Sequence, residues 1–564
     1  MIGFKRSLLQ VDLFLLWAIQ YCTFGSVVLW YIFAVTLAGA VILTLLTYDH
    51  DYWSSRGIFS PPAWPLVGHI WTVAIFKEQG GMCFKRIYDQ YRNEKFLGTH
   101  QFFQRTLVVQ DPELIKRICV NDFHHFTDRG FFFNKELDPL AGSVLFLRGN
   151  EWKRLRAKIS PIFSPNKLRG MFPLIENTAN EFTLRVRNIV NKTKYTAKNH
   201  KNVGNLKEDD KEVSLAVVDS EKLVGGYTAD AIVPCAFGLK SGVMDNPDDP
   251  FAVALHAFYE LTPYNIFEKT MRQFWPAFVL FFRMRIIPKK THDFFYNIVT
   301  SVLRAREDGS QEKRGDFIDM MMALQTDDRN NNSNAKSDND NNDNNLDNDN
   351  VEITDMVIAA NAFIIFLGGY ETTSSTLAFL FLELAAHQRV QDKMRQEIQE
   401  VLEKHGGRVS YELLQDLTYT DMVIKETLRL YPPFPTIQRL CTKDYEIPDS
   451  DKVVEKGTVV LFPTLGIQRD DQFFDKASQF DPERWLEGQP SPPPGVYMPF
   501  GDGPRYCIGK RFAVIQMKCC LLQLLQNVRI RPFSTGPRLG PFEADPRFPL
   551  TLHPADSRII LSLL

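Results

Sequence analysis

The chain has 564 residues, of which 45% are hydrophobic, 12% aromatic and 23% charged, with a net charge of −2. These values exclude a disordered chain, a collagen-like repeat and a strongly basic nucleic-acid binder, and 44 Phe supply apolar mass for a large core. The 8 Cys are scattered, without a C-x-x-C pair or zinc-ligand spacing, so any metal site must use one or two protein ligands or arrive with a cofactor.

Residues 1–25 form an N-terminal segment expected to associate with a membrane, and 26–48 are predicted to be a transmembrane anchor. No side chain from Leu13 to Tyr48 is charged, and Val27–Leu46 as a helix is long enough to cross a hydrocarbon core of about 30 Å. The competing reading is a secretory signal, with Lys5 and Arg6 ahead of the apolar run and cleavage at Ala38-Gly39-Ala40. The apolar run is longer than such signals use and continues past that site. Lys5 and Arg6 before the run, with Asp49 and Asp51 after it, place the N-terminus in the cytosol by the positive-inside rule.

Residues 49–68, with Ser60-Pro61-Pro62-Ala63-Trp64-Pro65, read as a Pro-rich tether ahead of a globular part at 69–564. Two polar insertions, 192–212 and 327–350, lack the apolar content to offset their ordering entropy and are expected to be disordered loops. Thr106–Val109 and Thr458–Phe462 have strand character. Helical spacing covers Asp355–Glu403, interrupted at Gly368-Gly369 and near His387, then Leu414–Leu430 up to Tyr431-Pro432-Pro433, and Ile508–Val528. Met356–Leu367 is too short for a second membrane span and reads as a core helix. The architecture is therefore mainly α with small peripheral sheets.

Pro499–Ala513, PFGDGPRYCIGKRFA, carries F-x-x-G-x-R-x-C-x-G. Each residue type has a use if Cys507 is an axial haem ligand. Glycines, Gly509 among them, let the backbone pass close to a flat macrocycle. The helix that follows aims N–H groups at the sulfur and favours thiolate. Arg505 neutralises a propionate, and Phe500 covers the sulfur.

This segment resembles the haem-binding loop of the cytochrome P450 superfamily, and the other motifs of that family follow in order. Glu426-Thr-Leu-Arg429 matches E-x-x-R on one helix face. Glu151-Trp-Lys-Arg154 also fits that short pattern, but only the former precedes Tyr431-Pro432-Pro433 and Pro482-Glu483-Arg484-Trp485. The resemblance makes Glu426, Arg429 and Arg484 a structural lock, with Trp485 where Phe is usual. Gly368-Gly369-Tyr370-Glu371-Thr372 resembles the oxygen-activation motif and implies a local helix opening, with Glu371 and Thr372 relaying protons. Trp152-Lys-Arg-Leu-Arg156 resembles the W-x-x-x-R helix whose indole and guanidinium bind propionates. Arg129 and Arg439 sit where relatives place further propionate contacts.

The resemblance implies a triangular-prism α-rich fold behind a membrane helix, heme b held through Cys507, and insertion of one oxygen atom from O2 into a small lipophilic substrate. Electrons would come from NADPH through NADPH-cytochrome P450 reductase, with cytochrome b5 as a second donor. Lys153, Arg154, Lys158, Lys510 and Arg511 are candidates to steer an acidic partner, against the plain alternative of a solvated helix face. Phe131, Phe132, Phe133, Phe363, Ile364, Leu367, Phe434, Thr436 and Ile437 occupy family-typical substrate positions, where core packing is the plain alternative. Tyr52-Trp53-Ser-Ser-Arg56-Gly57, Ser160-Pro-Ile-Phe163-Ser and Lys167-Leu-Arg-Gly-Met171-Phe172-Pro173 are similar to the insect microsomal members linked to xenobiotic oxidation. Those members lie in the endoplasmic reticulum membrane with the catalytic domain in the cytosol, opposite to the topology the flanking charges favour. Two other classes stay open: a haem-thiolate isomerase or dehydratase that needs no reductase, and a non-catalytic haem protein.

Overall fold

The computed structural model describes residues 28, 30–39, 46–47, 49–193, 214–259, 262, 267, 276–285, 287–337, 352–534 and 540–564. The protein is mainly helical, and its organising element is the central helix Asp355–Ala386. The Thr354 hydroxyl starts it by accepting the Val357 N–H at 3.3 Å, and His387 ends it before Gln388–Lys404. The helix is long and apolar enough to cross a membrane, yet it is the core: Ile358–Phe363 and Thr373–Ala385 are buried. It packs along Ser220–Phe237 and Lys289–Glu307, where Phe295 meets Phe363 at 4.9 Å and Phe366 at 5.3 Å between ring centroids.

The expected interruption at Gly368-Gly369 is absent, and the helix runs through both glycines. They do different jobs. A Cβ on Gly369 would lie 3.0 Å from the Ile232 side chain, so its absence lets the two helices approach closely. A Cβ on Gly368 would meet nothing within 4 Å.

Among the described residues, three sheets lie around this core. Strands β1 (Phe96–Gln101), β2 (Gln104–Val109), β4 (Ile437–Leu440) and β7 (Val459–Phe462) form one sheet in the order β1-β2-β7-β4. A second, β3-β9-β8, joins β3 (Leu215–Asp219), β9 (Arg558–Leu563) and β8 (Val528–Pro532). The third is the pair β5 (Tyr445–Glu446) and β6 (Val453–Val454). Strand β2 runs parallel to β7, which requires a long crossover, so the first sheet brings residues near 100 beside residues near 440 and 460.

Residues 49–58, expected to be tether, are packed onto that sheet. Trp53 is buried and donates its indole N–H to the Thr99 carbonyl at 3.0 Å, Asp49 pairs with Arg105 at 2.6 Å, and Arg56 pairs with Glu455 at 2.7 Å. Aromatic anchoring of this kind buries apolar surface while satisfying the indole.

The polar insertions are shorter than their composition implies. Pro165–Lys192 is helical to its last residue, and Phe317–Ser337 carries helix well into the Asn/Asp tract. Asp328 explains part of this. It pairs with Lys158 at 2.6 Å and accepts the Ile353 N–H at 3.3 Å, so the tract is tied at both ends. Residues 194–213 and 338–351 lie outside the described residues. Within the expected anchor, Trp30–Gly39 is an apolar helix whose side chains are exposed, with Trp30 at 70% and Tyr31 at 71%. The rest of 26–48, apart from residues 28 and 46–47, and the 1–25 segment lie outside the described residues.

Behind the site, Glu426 and Arg429 on the helix Thr418–Leu430 are fully buried and form a bidentate pair, Arg429 Nε to Oε2 at 2.9 Å and Nη2 to Oε1 at 2.7 Å. Arg484 adds a bond to Oε1 at 3.0 Å. The spare Arg429 donors reach the carbonyls of Gln468, Ala477 and Gln479. A buried ion pair holds only when every remaining donor and acceptor is met, and here the lock ties distant loops together.

Candidate active site

The loop Met498–Gly509 is shaped by its glycines and by Asp502. Gly503 has φ +67°, and a Cβ there would lie 1.8 Å from the Cys119 carbonyl oxygen, so no other residue fits. Asp502 accepts the Gly503 N–H at 2.7 Å, and Gly503–Arg505 forms one 3-10 turn. The Cys507 N–H then donates to the Phe500 carbonyl at 2.8 Å, which closes the loop and sets the sulfur just ahead of the helix Lys510–Leu525.

Burial pushes the Cys507 thiol pKa up. The Gly509 N–H, Arg129, Arg156 and Lys510 act in the opposite direction without overcoming it. A further positive charge at the sulfur would favour the thiolate against this burial. Gly509 has open space above it and serves through its N–H rather than through special backbone freedom.

Four guanidiniums converge on this loop. Arg505 donates to the carbonyls of Thr127 at 2.7 Å and Leu147 at 2.9 Å, and lies 3.8 Å from the Trp152 ring centroid. Arg129 donates to the Arg505 carbonyl at 2.9 Å and to Leu145 at 3.1 Å. Arg156 donates to the Tyr506 carbonyl at 3.0 Å, and Arg439 on β4 reaches the Asp502 carbonyl at 3.3 Å. Burial and the neighbouring arginines push Arg129 down to about 9 and Arg505 down to about 8. Asp128 is the carboxylate beside Arg505, at 3.6 Å. Arg505 Nη1 and Arg439 Nε are buried and donate to nothing among the described residues. Such a set of under-satisfied cations beside a thiol fits a dianionic, thiol-ligated metal macrocycle.

Trp152 lies beside Arg505. It is buried under Arg505 and beside Phe123 at 5.8 Å, so it supports Arg505, while Arg156 one turn on stacks over Tyr506. Phe500 is half-buried against the core with Lys510 Nζ 5.7 Å from its ring.

On the central helix, the Thr372 hydroxyl donates to the Gly368 carbonyl at 2.6 Å. This bond takes the carbonyl that the expected helix opening would have freed. Glu371 turns to the C-terminal segment, where its Oε1 accepts the Thr551 hydroxyl at 2.7 Å and lies 3.5 Å from His553 Nε2. Thr551, His553 and Asp128 escaped the motif reading. Asp128 directly precedes the candidate Arg129; the other two meet Glu371 from about a third of the chain away.

The substrate candidates divide. Phe131 and Phe133 flank Phe146 at 6.0 and 6.1 Å, with Phe132 half-buried between them. Ile364 and Leu367 are half-buried on the central helix, as are Thr436 and Ile437 at the start of β4, and Phe434 is 44% exposed. Phe363 is instead core, 2% exposed between Phe258 and Phe295. Of the basic candidates, Lys153, Lys510 and Arg511 are exposed, whereas Lys158 is taken by Asp328.

The cytochrome P450 family profile matches residues 59–545. Cytochrome P450 6j1 of Blattella germanica is 31% identical over 511 residues, covering 90% of this chain and 93% of that protein. Cytochrome P450 6B2 of Helicoverpa armigera is 31% identical over 514 residues, 90% and 94%, and cytochrome P450 6B1 of Papilio polyxenes is 30% identical over 518 residues, 91% and 95%. A Cys loop ringed by arginines, a buried Glu-Arg-Arg lock and a long central helix, matched to this family over most of its length, make the chain a cytochrome P450 monooxygenase with the family's haem, a redox partner and a small-molecule substrate.

Proposed function

We propose that this enzyme is a microsomal haem-thiolate monooxygenase, with Cys507 as the iron ligand, that oxidises small lipophilic molecules with electrons from NADPH by way of NADPH-cytochrome P450 reductase. The observation that carries this reading is the convergence of Arg129, Arg156, Arg439 and Arg505 around the Cys507 loop with Asp128 as the nearby carboxylate. Bound haem supplies the oxygen activation and hydrogen abstraction that no side chain can perform.

The chain's own part is positional. Arg439 Nε and Arg505 Nη1 offer donors to the propionates. The Gly509 N–H supports the sulfur. Thr372 and Glu371 lie one residue apart on the central helix, where a hydroxyl and a carboxyl can hold and pass a proton. Phe131–Phe133, Ile364, Leu367 and Ile437 supply apolar walls that exclude water. The exposed Lys153, Lys510 and Arg511 form the docking side for an acidic reductase or cytochrome b5, which predicts turnover that weakens with salt. The apolar helix Trp30–Gly39 supports a membrane-bound protein, which on this reading lies in the endoplasmic reticulum with its catalytic part in the cytosol and acts on xenobiotics, insecticides or hormones. The proton-handling pair favours this over an isomerase, which consumes no NADPH.

The test is the reduced, carbon-monoxide-bound spectrum of wild type and Cys507→Ser. A Soret band at about 450 nm that is lost in the variant is expected, whereas about 420 nm in fresh folded protein removes the thiolate and the mechanism with it.

A further inference from the structure

His553 sits where its protonation is dictated by its neighbours. Its Nδ1 lies 2.5 Å from Glu221 Oε1 on the helix Ser220–Phe237, and its Nε2 lies 3.2 Å from the Thr551 hydroxyl oxygen and 3.5 Å from Glu371 Oε1. Thr551 has one hydroxyl hydrogen and gives it to Glu371 at 2.7 Å. With Glu221 and Glu371 both ionised, the His553 Nε2 donates to Thr551 and Nδ1 donates to the Glu221 carboxylate, which accepts only. Both ring nitrogens carry hydrogen, and the ring is an imidazolium.

The frame that holds it is rigid. Asp545 donates its N–H to the His553 carbonyl at 2.8 Å, Leu552 donates to the Pro433 carbonyl at 2.9 Å, and Ser375 on the central helix donates to the Leu552 carbonyl. The imidazole packs on Phe548 with centroids 4.1 Å apart. It is 6% exposed, while Glu221 is 29% and Glu371 15% exposed. The charged or titratable groups facing this cluster are Glu221 from its helix, Glu371 and Tyr370 from the central helix, and Asp545 and Arg547 from the C-terminal segment. Burial opposes a charge on His553, but the hydrogen bonds and fields of Glu221 and Glu371 outweigh it and raise the pKa to about 9.

We propose that His553 is a positioning residue whose imidazolium, anchored by Glu221, docks the Glu371 carboxylate against Thr551 and thereby controls when that carboxyl can turn inward to serve Thr372. This rests on the reading of Glu371 as the proton donor of the reaction. Docked, Glu371 is ionised and faces the C-terminal segment, and Thr372 keeps its bond to the Gly368 carbonyl. Before each delivery the Glu371 carboxylate takes one proton from solvent, which weakens its hold on the imidazolium and frees the neutral carboxyl to turn inward; giving that proton up restores the docked carboxylate. Without the cation, the carboxylate loses its fixed outer position, protons arrive out of turn, and reduced oxygen leaves as hydrogen peroxide.

Two measurements on the full-length holoenzyme test this. Hydrogen–deuterium exchange at the histidine C2 position, read by mass spectrometry, gives the His553 titration midpoint without any turnover. A midpoint of about 9 in wild type that falls by about one unit or more in Glu221→Gln and in Glu371→Gln supports the clamp; a wild-type midpoint near the ordinary histidine value overturns it. The second is the share of consumed NADPH recovered as hydrogen peroxide, with reductase and no added substrate, in variants that keep the thiolate–haem spectrum. His553→Gln is expected to raise that share about twofold or more, and His553→Lys, which keeps a cation, to restore most of it. A His553→Gln share equal to wild type, with Glu371→Gln altered, overturns the proposal while leaving Glu371 as donor. A Glu371→Gln share equal to wild type, with the high midpoint intact, overturns the donor reading and the control assigned to His553 with it.

Discussion

Trp485 donates its indole N–H to Glu426 Oε2 at 3.0 Å. Glu426 is a fully buried carboxylate already bound by Arg429, by Arg484 and by the Asp481 N–H at 3.0 Å, and the indole fills out its acceptor set. The departure from Phe at this position is thus a gain for the lock. Trp485→Phe keeps a ring against Tyr497 and Phe474 but removes a donor to a charged group. We expect the variant to retain haem and to lose about 2 kcal/mol of stability, read as a lower midpoint in denaturant with an unchanged m-value.

The two glycines of the central helix respond differently to one added methyl group. Gly368→Ala has open space and gains helix propensity, so it should be stabilising by up to about 1 kcal/mol. Gly369→Ala drives a methyl into Ile232 at 3.0 Å and should destabilise by about 1–3 kcal/mol. Opposite shifts in melting temperature check the pair, and a restoring effect of Ile232→Val on Gly369→Ala identifies the contact.

Gly503→Ala places a Cβ against the Cys119 carbonyl in a backbone conformation that disfavours any side chain. The loop cannot hold Cys507 at its present position, so the expected product is protein without the thiolate–haem spectrum. Gly509→Ala, with open space around it, should keep that spectrum.

Among the described residues Arg439 makes two carbonyl contacts, at Gln438 and Asp502, and has an unmet Nε, whereas Arg505 also braces Thr127, Leu147 and Trp152. Arg439→Leu should fold and release haem faster by about tenfold or more, measured by transfer to apomyoglobin. Arg505→Leu removes a brace as well as a charge and should fail to accumulate as holoprotein.

His553 predicts a pH signature in stability. Its pKa is raised to about 9 in the folded state from the ordinary 6.5. Its contribution is therefore fully present below pH 6.5 and lost as pH rises through about 9. Wild type should lose stability across that window relative to His553→Gln, and denaturant midpoints at both ends of it measure the difference.

Much of the site was legible because its chemistry lies in contiguous motifs. Phe500 to Gly509 is one loop, Glu426 and Arg429 share a helix face, and Gly368 to Thr372 are consecutive, so local spacing carried the argument. The central helix and the strands at 106–109 and 458–462 followed from apolar spacing, with ends moved by a residue or two. What misled was composition taken without its partners. The Asn/Asp tract begins as helix because Asp328 reaches Lys158, and the segment before the prolines folds because Trp53 finds Thr99. Phe363 reads like a pocket wall from its place before the glycines, but Phe258 and Phe295 enclose it.

The sequence by itself determined the cysteine loop, the arginines that gather on it, the lock and the helical class, since each depends on residue types at short fixed separations. Only the tertiary structure decided that burial works against ionisation at Cys507, that Gly369 rather than Gly368 is required by packing, and that Glu371 answers to Thr551 and His553. Those outcomes depend on groups brought together from distant parts of the chain, and the energies of burial and ion pairing follow distance in space, which a linear pattern does not record.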